Sequence, residues 1–500
     1  MIPVLSAAQM REVDACTIQH TPIPSIELME RAATACVAWL DHRYPVASAR
    51  SFTVVCGPGN NGGDGLAIAR LLYQRGHAVR TILCSGGREP SPDAAANLTR
   101  LRACAVPVLE VMDGSGLPDF SDGEVVVDAL FGTGLDRPLA GPQKQCVVAM
   151  NRSRARRISI DMPSGLFAGD NDRNDADAIV QADVVLTFQC PKLALLLPEN
   201  EHFVGQLEVL DIGLLPACME AAAPVDHLLE LRDVRPFLPV RGRFMHKGRA
   251  GHALVLAGGP GRMGAAILAG RAAARSGAGL ISLMVPSDLQ LVVHQTLPEA
   301  MCAGPDAKLD AFSAVGIGPA LGVDKESAAL LERVLRTARS PLVIDADALT
   351  LLARSPALLD IVPSGSILTP HPLELERLVG GCASGFERLA KARALAQERS
   401  LIVVLKGAFS AICAPDGSVR FNPTGNPGMA KGGAGDALTG VITALLAQGA
   451  NPLEAACAGV YAHGLAGDLA AAERGQQGML VSDLIEQLPM AWQRIGAAGQ

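Results

Sequence analysis

Apolar positions along the chain gather into short runs closed by turn residues and followed by segments of helical period, and this rhythm occurs twice. In the first half the runs are 51–56, 79–84, 124–130, 157–160 and 183–188, with a helix predicted from Asp64 to about Gln74. In the second half they are 253–256, 280–285, 314–317, 341–344, 366–368 and 401–405, with a small-residue helix from about Gly264 to Ser276. The segments 410–414 and 418–421, joined by Pro415-Asp416-Gly417, predict a hairpin. Helices dominate from Asp436 onward. Strands alternating with helices predict mostly parallel sheets covered on both faces, an α/β class protein of three-layer αβα domains, the N-terminal one Rossmann-like. The rhythm breaks between Pro216 and Arg241, where Ala221, Ala222, Ala223 and Pro224 read as a connector. Two domains are therefore expected, 1–225 and 226–500.

Composition narrows the class of function. Aromatic residues are only 3% of the chain, so the cores must be aliphatic and there are few rings for stacking single-stranded nucleic acid. A net charge of −7 gives no electrostatic case for nucleic acid or an anionic membrane. No apolar run approaches the ~20 residues that span a bilayer, and no signal peptide is visible, so a cytoplasmic location is expected. The 12 cysteines are scattered without a C-x-x-C pair or zinc-ligand spacing, which predicts buried free thiols.

The first motif is Gly57-Pro58-Gly59-Asn60-Asn61-Gly62-Gly63-Asp64-Gly65, between a strand and a helix. Glycines at 57, 59 and 62 would let backbone amides approach a phosphate. Asn60, Asn61 and Asp64 instead put oxygens into the loop, which suits a hard cation or direct substrate contacts. A helix cap is the bland reading of Asp64. Two further strand ends carry Asp128, before the run 129–138, and Asp161, before Met162-Pro163-Ser164-Gly165. In a parallel sheet these ends share one rim, where clustered carboxylates need a cation or a proton.

These three segments, with Thr187-Phe188, Pro191-Lys192 and Asp211-Ile212-Gly213, resemble the NAD(P)H-hydrate epimerase domain over nearly all of 1–215. The resemblance implies that Asn61, Asp128 and Ser164 bind a potassium ion (K+). It implies that Asn60, Asn61, Gly62, Gly63, Asp64, Gly132, Thr133, Gly134, Leu135, Asp136, Arg137, Pro138 and Asp161 contact a hydrated nicotinamide nucleotide. Asp161 is the expected acid/base.

The second motif, Gly432-Gly433-Ala434-Gly435-Asp436, enters a long apolar helix. Its glycines free backbone amides to cradle an anion at the helix N-terminus, and Asp436 can take the proton of an attacking hydroxyl. It is not a Walker loop. It looks like the anion hole of ribokinase-like kinases, with Ala434 where a hydroxyl residue is more usual. With His246-Lys247-Gly248, Gly316–Gly322, Asp345–Leu349, Leu368–Pro372 and Leu405–Ala408, it resembles the NAD(P)H-hydrate dehydratase family over about 240–490. That resemblance implies a ribokinase-like fold, hydrate contacts from Ala265, Gly318, Gly322, His371 and Asp436, and nucleotide contacts from Lys406, Gly407, Ala408, Phe409, Ser410 and Gly435. His371, between two prolines with no predicted helix beside it, is read as a substrate contact rather than a structural histidine.

The combined expectation is a bifunctional repair enzyme for hydrated NADH and NADPH. It epimerises the R and S hydrates and dehydrates the S form, with magnesium (Mg2+) and with ADP favoured over ATP by resemblance alone. Its partners would be small molecules, with a homo-oligomer expected. Two rivals stand beside it: a vitamin or sugar kinase, which would lack the N-terminal half, and a nucleotide sensor, against which the intact Asp436 speaks.

Overall fold

The computed structural model describes residues 1–113, 117 and 119–497. It divides into two compact units, Pro3–Pro224, and Val225–Gln500 together with Met1–Ile2.

In the first unit seven parallel strands lie in the order Val108–Val111, Val79–Cys84, Phe52–Cys56, Val125–Ala129, Arg156–Ile160, Val184–Phe188 and Gln206–Leu210. Chain order reverses between Phe52–Cys56 and Val125–Ala129, and at such a switch point a crevice opens beyond the strand ends. All five residues of each of these two strands are buried, which explains their unbroken apolar character. Helices Ala7–His20 and Ser25–Arg43 precede the sheet and were not predicted; nor were the strands Val108–Val111 and Gln206–Leu210 at its two edges.

The predicted helix at Asp64 in fact begins at Asn60 and runs to Gln74, with Gly59 as its N-cap. Asparagine and glycine are poor helix formers, but close packing overrides propensity here. A Cβ on Gly62 would lie 1.8 Å from the Gly57 carbonyl oxygen, so only glycine lets this turn press onto the strand end.

The second unit is built on a mainly parallel sheet. Its parallel part runs Ile402–Leu405, Ile367–Leu368, Leu342–Ile344, Ala314–Ile317, His252–Leu256, Leu280–Met284 and Met301–Cys302. The predicted hairpin forms from Ala411–Cys413 and Val419–Phe421, pairing antiparallel. Order reverses between His252–Leu256 and Ala314–Ile317, the second switch point. Helix Ala434–Ala447 lies against helix Met263–Arg275; a Cβ on Gly440 would sit 2.0 Å from the Ala269 carbonyl oxygen. Both units are thus three-layer α/β structures, as expected. Among the described residues no helix is long and apolar enough to cross a membrane.

The cysteines depart from expectation at one point. Cys16 and Cys218 form a disulfide across 202 residues of sequence. No local spacing signals a pair so far apart. The other ten cysteines are free, and most are buried.

Candidate active sites

At the first switch point the three predicted aspartates arrive from three elements, each in a different environment. Asp161 ends strand Arg156–Ile160 with φ of +66°, a left-handed conformation that strains a non-glycine residue and is characteristic of functional positions. Its Oδ1 accepts from Lys192 Nζ at 2.5 Å, and its Oδ2 accepts from the Thr133 amide at 3.2 Å. Lys192 is fully buried and also donates to Thr187 Oγ1 at 2.9 Å. A Cβ on Gly132 would lie 2.9 Å from Asp161 Oδ2 and 3.2 Å from Asn61 Oδ1, so the loop after strand Val125–Ala129 touches both. Asn61 Nδ2 is buried without a partner, a donor left for a ligand.

Asp64 does not cap the helix; it lies one turn inside, buried. Burial pushes its carboxyl well above the usual range, and the charges of Asp161, Asp14 and Asp93 add to this. Asp14, on helix Ala7–His20, is raised to about 6 by burial and by Asp161, against the opposing effect of Lys192. Asp14 and Lys192 were missed as site residues. Asp14 comes from an unpredicted helix, while Lys192 follows the turn after strand Val184–Phe188 and was visible only as part of a matching segment.

Asp128 is fully buried. It accepts from Ser159 Oγ at 2.7 Å and from the amides of Ser164 at 2.9 Å and Leu130 at 3.3 Å. Burial still raises its carboxyl, because these donors are neutral. Ser164 Oγ accepts from the Phe131 amide at 2.8 Å. Of the remaining predicted contacts, Asn60, Gly62 and Gly63 lie in the first turn of helix Asn60–Gln74. Gly134 to Pro138 continue from Thr133 as a loop in which Asp136, Arg137 and Pro138 are exposed.

The second unit gathers its site at the second switch point. Gly433, with φ of +101°, is the N-cap of helix Ala434–Ala447, and Asp436 occupies the first turn. Beneath it, Asp345 is almost wholly buried, with Oδ1 2.9 Å from Lys406 Nζ and Oδ2 accepting from Thr439 Oγ1 at 2.9 Å. A Cβ on Gly435 would meet Asp345 Oδ2 at 3.3 Å and Lys406 Nζ at 3.5 Å, so the ammonium stands at the mouth of the glycine turn. Burial, with the charges of Asp345 and Asp347 and against the opposing effect of Lys406, raises Asp436 to about 6. Asp347 Oδ2 accepts from the Gly322 amide at 2.8 Å, which ties Gly322 to the same strand end, and Gly318 closes strand Ala314–Ile317. Ala265 lies in the first turn of helix Met263–Arg275. Lys406 to Ser410 form a turn in which Ser410 Oγ accepts from the Gly407 amide at 3.2 Å.

His371 corrects the reading of its surroundings. It caps helix Pro372–Val379, its Nδ1 accepting from the Glu374 amide at 3.3 Å while Glu374 Oε2 accepts from the His371 amide at 2.8 Å. The ring therefore has a structural task, although its side chain remains 45% exposed. His463 was also missed. Burial pushes its imidazole down to about 4, against a hydrogen bond to the Ala434 backbone in the glycine turn.

Residues 253–490 match the family model described as NAD(P)H-hydrate dehydratase, and residues 25–194 match that of the YjeF-related protein N-terminus. The chain is 36% identical to the bifunctional NAD(P)H-hydrate repair enzyme of Moorella thermoacetica, over 97% of this chain and 96% of that one. It is 38% identical to the enzyme of the same description from Coxiella burnetii, over 96% and 97%.

The chain belongs to the bifunctional NAD(P)H-hydrate repair enzyme family.

The relationship spans both units, so the resemblance drawn from the motifs holds for the whole chain. Among solved structures, an ADP/ATP-dependent NAD(P)H-hydrate dehydratase from Bacillus subtilis, co-crystallised with ATP and Mg2+, is 35% identical. It covers 53% of this chain and 97% of its own, with a TM-score of 0.48. Membership in this repair family leaves the kinase and sensor rivals without support.

Proposed function

We propose that the unit Pro3–Pro224 epimerises the R and S hydrates of NADH and NADPH, and that the unit from Val225 dehydrates the S hydrate with a nucleoside diphosphate. The observation that carries the reading is the division of carboxyl environments. Asp161 is paired with a buried ammonium, whereas Asp64, Asp14 and Asp436 are raised by burial. Within the first site, the carboxylate held by an ammonium suits a base and the carboxyls raised by burial suit proton donors; in the second, a carboxyl raised to about 6 suits a base working near neutral pH.

In the first site the C6 hydroxyl shares its carbon with the ring nitrogen. Asp161 accepts the hydroxyl proton as the C6–N1 bond opens, and N1 takes up a proton held by a neutral neighbour, Asp14 or Asp64. Rotation and reclosure return both protons and give the other epimer. Asn61 Nδ2 and the Thr133 loop hold the nucleotide. Asn61 Oδ1, Asp128 and Ser164 Oγ offer only oxygens, and Asp128 is a buried carboxylate met by neutral donors, a set that fits potassium. The ion would supply counter-charge and stiffen the strand ends.

In the second site Asp436 takes the C6 hydroxyl proton as that oxygen attacks the terminal phosphate of ADP, releasing AMP. Lys406 and the amides of Gly432–Gly435 face the charge that builds on the transferring group. The ring nitrogen then expels phosphate, and loss of a C5 proton restores the dihydronicotinamide. Magnesium would enter with the nucleotide as its counter-ion. Asp436→Ala should abolish dehydration and spare epimerisation, and Asp161→Ala should do the reverse. Survival of both activities in both variants would overturn the assignment.

A further inference from the structure

The first unit is fastened at a point that the proposed chemistry does not use. Cys16 and His20 are one turn apart on helix Ala7–His20, so both project from one face. Helix Pro216–Ala221 brings Cys218 to that face, with the Cys16 and Cys218 Cα atoms 5.8 Å apart. His20 Nδ1 lies 3.6 Å from Cys16 Sγ. One ligand atom from each of the three residues falls within 4.8 Å of the others, a grouping of metal-ligating side chains that recurs nowhere else among the described residues.

One edge of this group already has the length found in a tetrahedral zinc site. With Zn–S of about 2.3 Å and Zn–N of about 2.0 Å, a bound sulfur and nitrogen stand about 3.5 Å apart. The cysteine–histidine edge therefore already has the required length. The two sulfurs must part from bonding contact to about 3.8 Å. The half-exposed Cys16 and exposed His20 side chains are free to make this adjustment, while the buried Cys218 anchors the site. His20 Nδ1 is held 2.8 Å from the Cys16 carbonyl oxygen, a contact the exposed ring can exchange for a metal. Two thiolates and one imidazole favour Zn2+ over magnesium or calcium, and the two thiolate charges balance it.

We propose that, once the Cys16–Cys218 disulfide is reduced, Cys16, His20 and Cys218 bind Zn2+, so that disulfide and metal are alternative closures of one junction. A dithiol reductant passes two electrons and two protons to the disulfide, giving two thiols and becoming a disulfide itself. Zn2+ then displaces the two thiol protons and takes a ring nitrogen of neutral His20, leaving the fourth position to water. Either closure joins helix Ala7–His20, which carries Asp14, to the end of the unit, where Thr17 Oγ1 already accepts from the Leu215 amide at 3.2 Å. Zinc thus gives this enzyme a reducing-side equivalent of its disulfide.

The test uses full-length protein reduced with a phosphine, which competes little for zinc, dialysed against Zn2+ and analysed for metal. Reduced wild type should hold one zinc per chain, and oxidised protein none. Cys218→Ser should lose the metal, and His20→Ala should bind roughly tenfold or more weakly. The His20→Ala protein can still form the disulfide, so its fold is checked in the oxidised state by mass and circular dichroism. Cys382→Ser, in the other unit, should bind as wild type does. Cobalt in place of zinc should give a thiolate charge-transfer band that is absent from Cys218→Ser. Absence of zinc from reduced wild type, or undiminished binding in Cys218→Ser and His20→Ala, would refute the site.

Discussion

Asp436→Asn should destroy dehydration and at the same time stabilise the unit that carries it. Burial and the neighbouring Asp345 and Asp347 carboxylates raise Asp436 from 3.8 to about 6. The folded protein thus binds this proton more tightly than the unfolded chain does. Below about pH 4 both states are protonated and nothing is lost; as pH rises to 6 the fold must hold a charge it disfavours, and above 6 the penalty is complete. About two pH units correspond to roughly 3 kcal/mol, and screening at a site partly open to water reduces this to about 1–2 kcal/mol. Asparagine keeps the shape and removes the charge. Of the two tryptophans, Trp39 lies in the first unit and Trp492 in the second, so a Trp39→Phe background lets Trp492 report the second unit alone. Urea unfolding at pH 8 should show Asp436→Asn more stable than its parent, with the gain fading by pH 4.5, while turnover falls by roughly a hundredfold or more. Equal stability at pH 8, or a gain that persists undiminished at pH 4.5, would contradict the electrostatic account.

Removing the Asp345 carboxylate takes away a charge that raises Asp436, so Asp345→Asn should move the acidic limb of the dehydratase pH profile to lower pH; a limb that stays in place would count against the coupling. Lys192→Met strands Asp161 without its cation and should destabilise the first unit by about 3–5 kcal/mol, followed by Trp39 fluorescence; the double change with Asp161→Asn should recover much of that loss. Gly132→Ala places a methyl against Asp161 and Asn61 and should abolish epimerisation with little change in melting temperature, whereas retained epimerase activity would show that the loop does not line the site. His371→Ala removes a helix cap and should cost about 1 kcal/mol by urea unfolding, whatever its effect on KM.

Much of this was legible because chemistry and turn geometry share the same residues. Glycines beside strand-ending aspartates marked the first site and a glycine turn entering a helix at Asp436 the second, and the runs Val79–Cys84 and Ala314–Ile317 read as strands because both faces of a parallel sheet are apolar. Long-range contacts left no such mark. Asp14 sits far before the first motif, the Cys16–Cys218 bond joins opposite ends of the unit, and Lys192 looks like any lysine until the fold buries it. The start of helix Asn60–Gln74 and the capping role of His371 were misread for a local reason. Asparagine, glycine and proline signal turns in sequence, while here packing and a capping box recruit them to the first turns of helices.

The most direct test of the central claim supplies mixed R and S hydrates of NADH to the full chain, with ADP or ATP, magnesium and potassium, and follows dihydronicotinamide absorbance. The account predicts that both hydrates are converted completely by wild type. It predicts that Asp161→Asn stops after the S fraction is consumed and that Asp436→Asn restores none. No recovery by wild type with either nucleotide, or full conversion of both epimers by Asp161→Asn without spontaneous epimerisation, would contradict it.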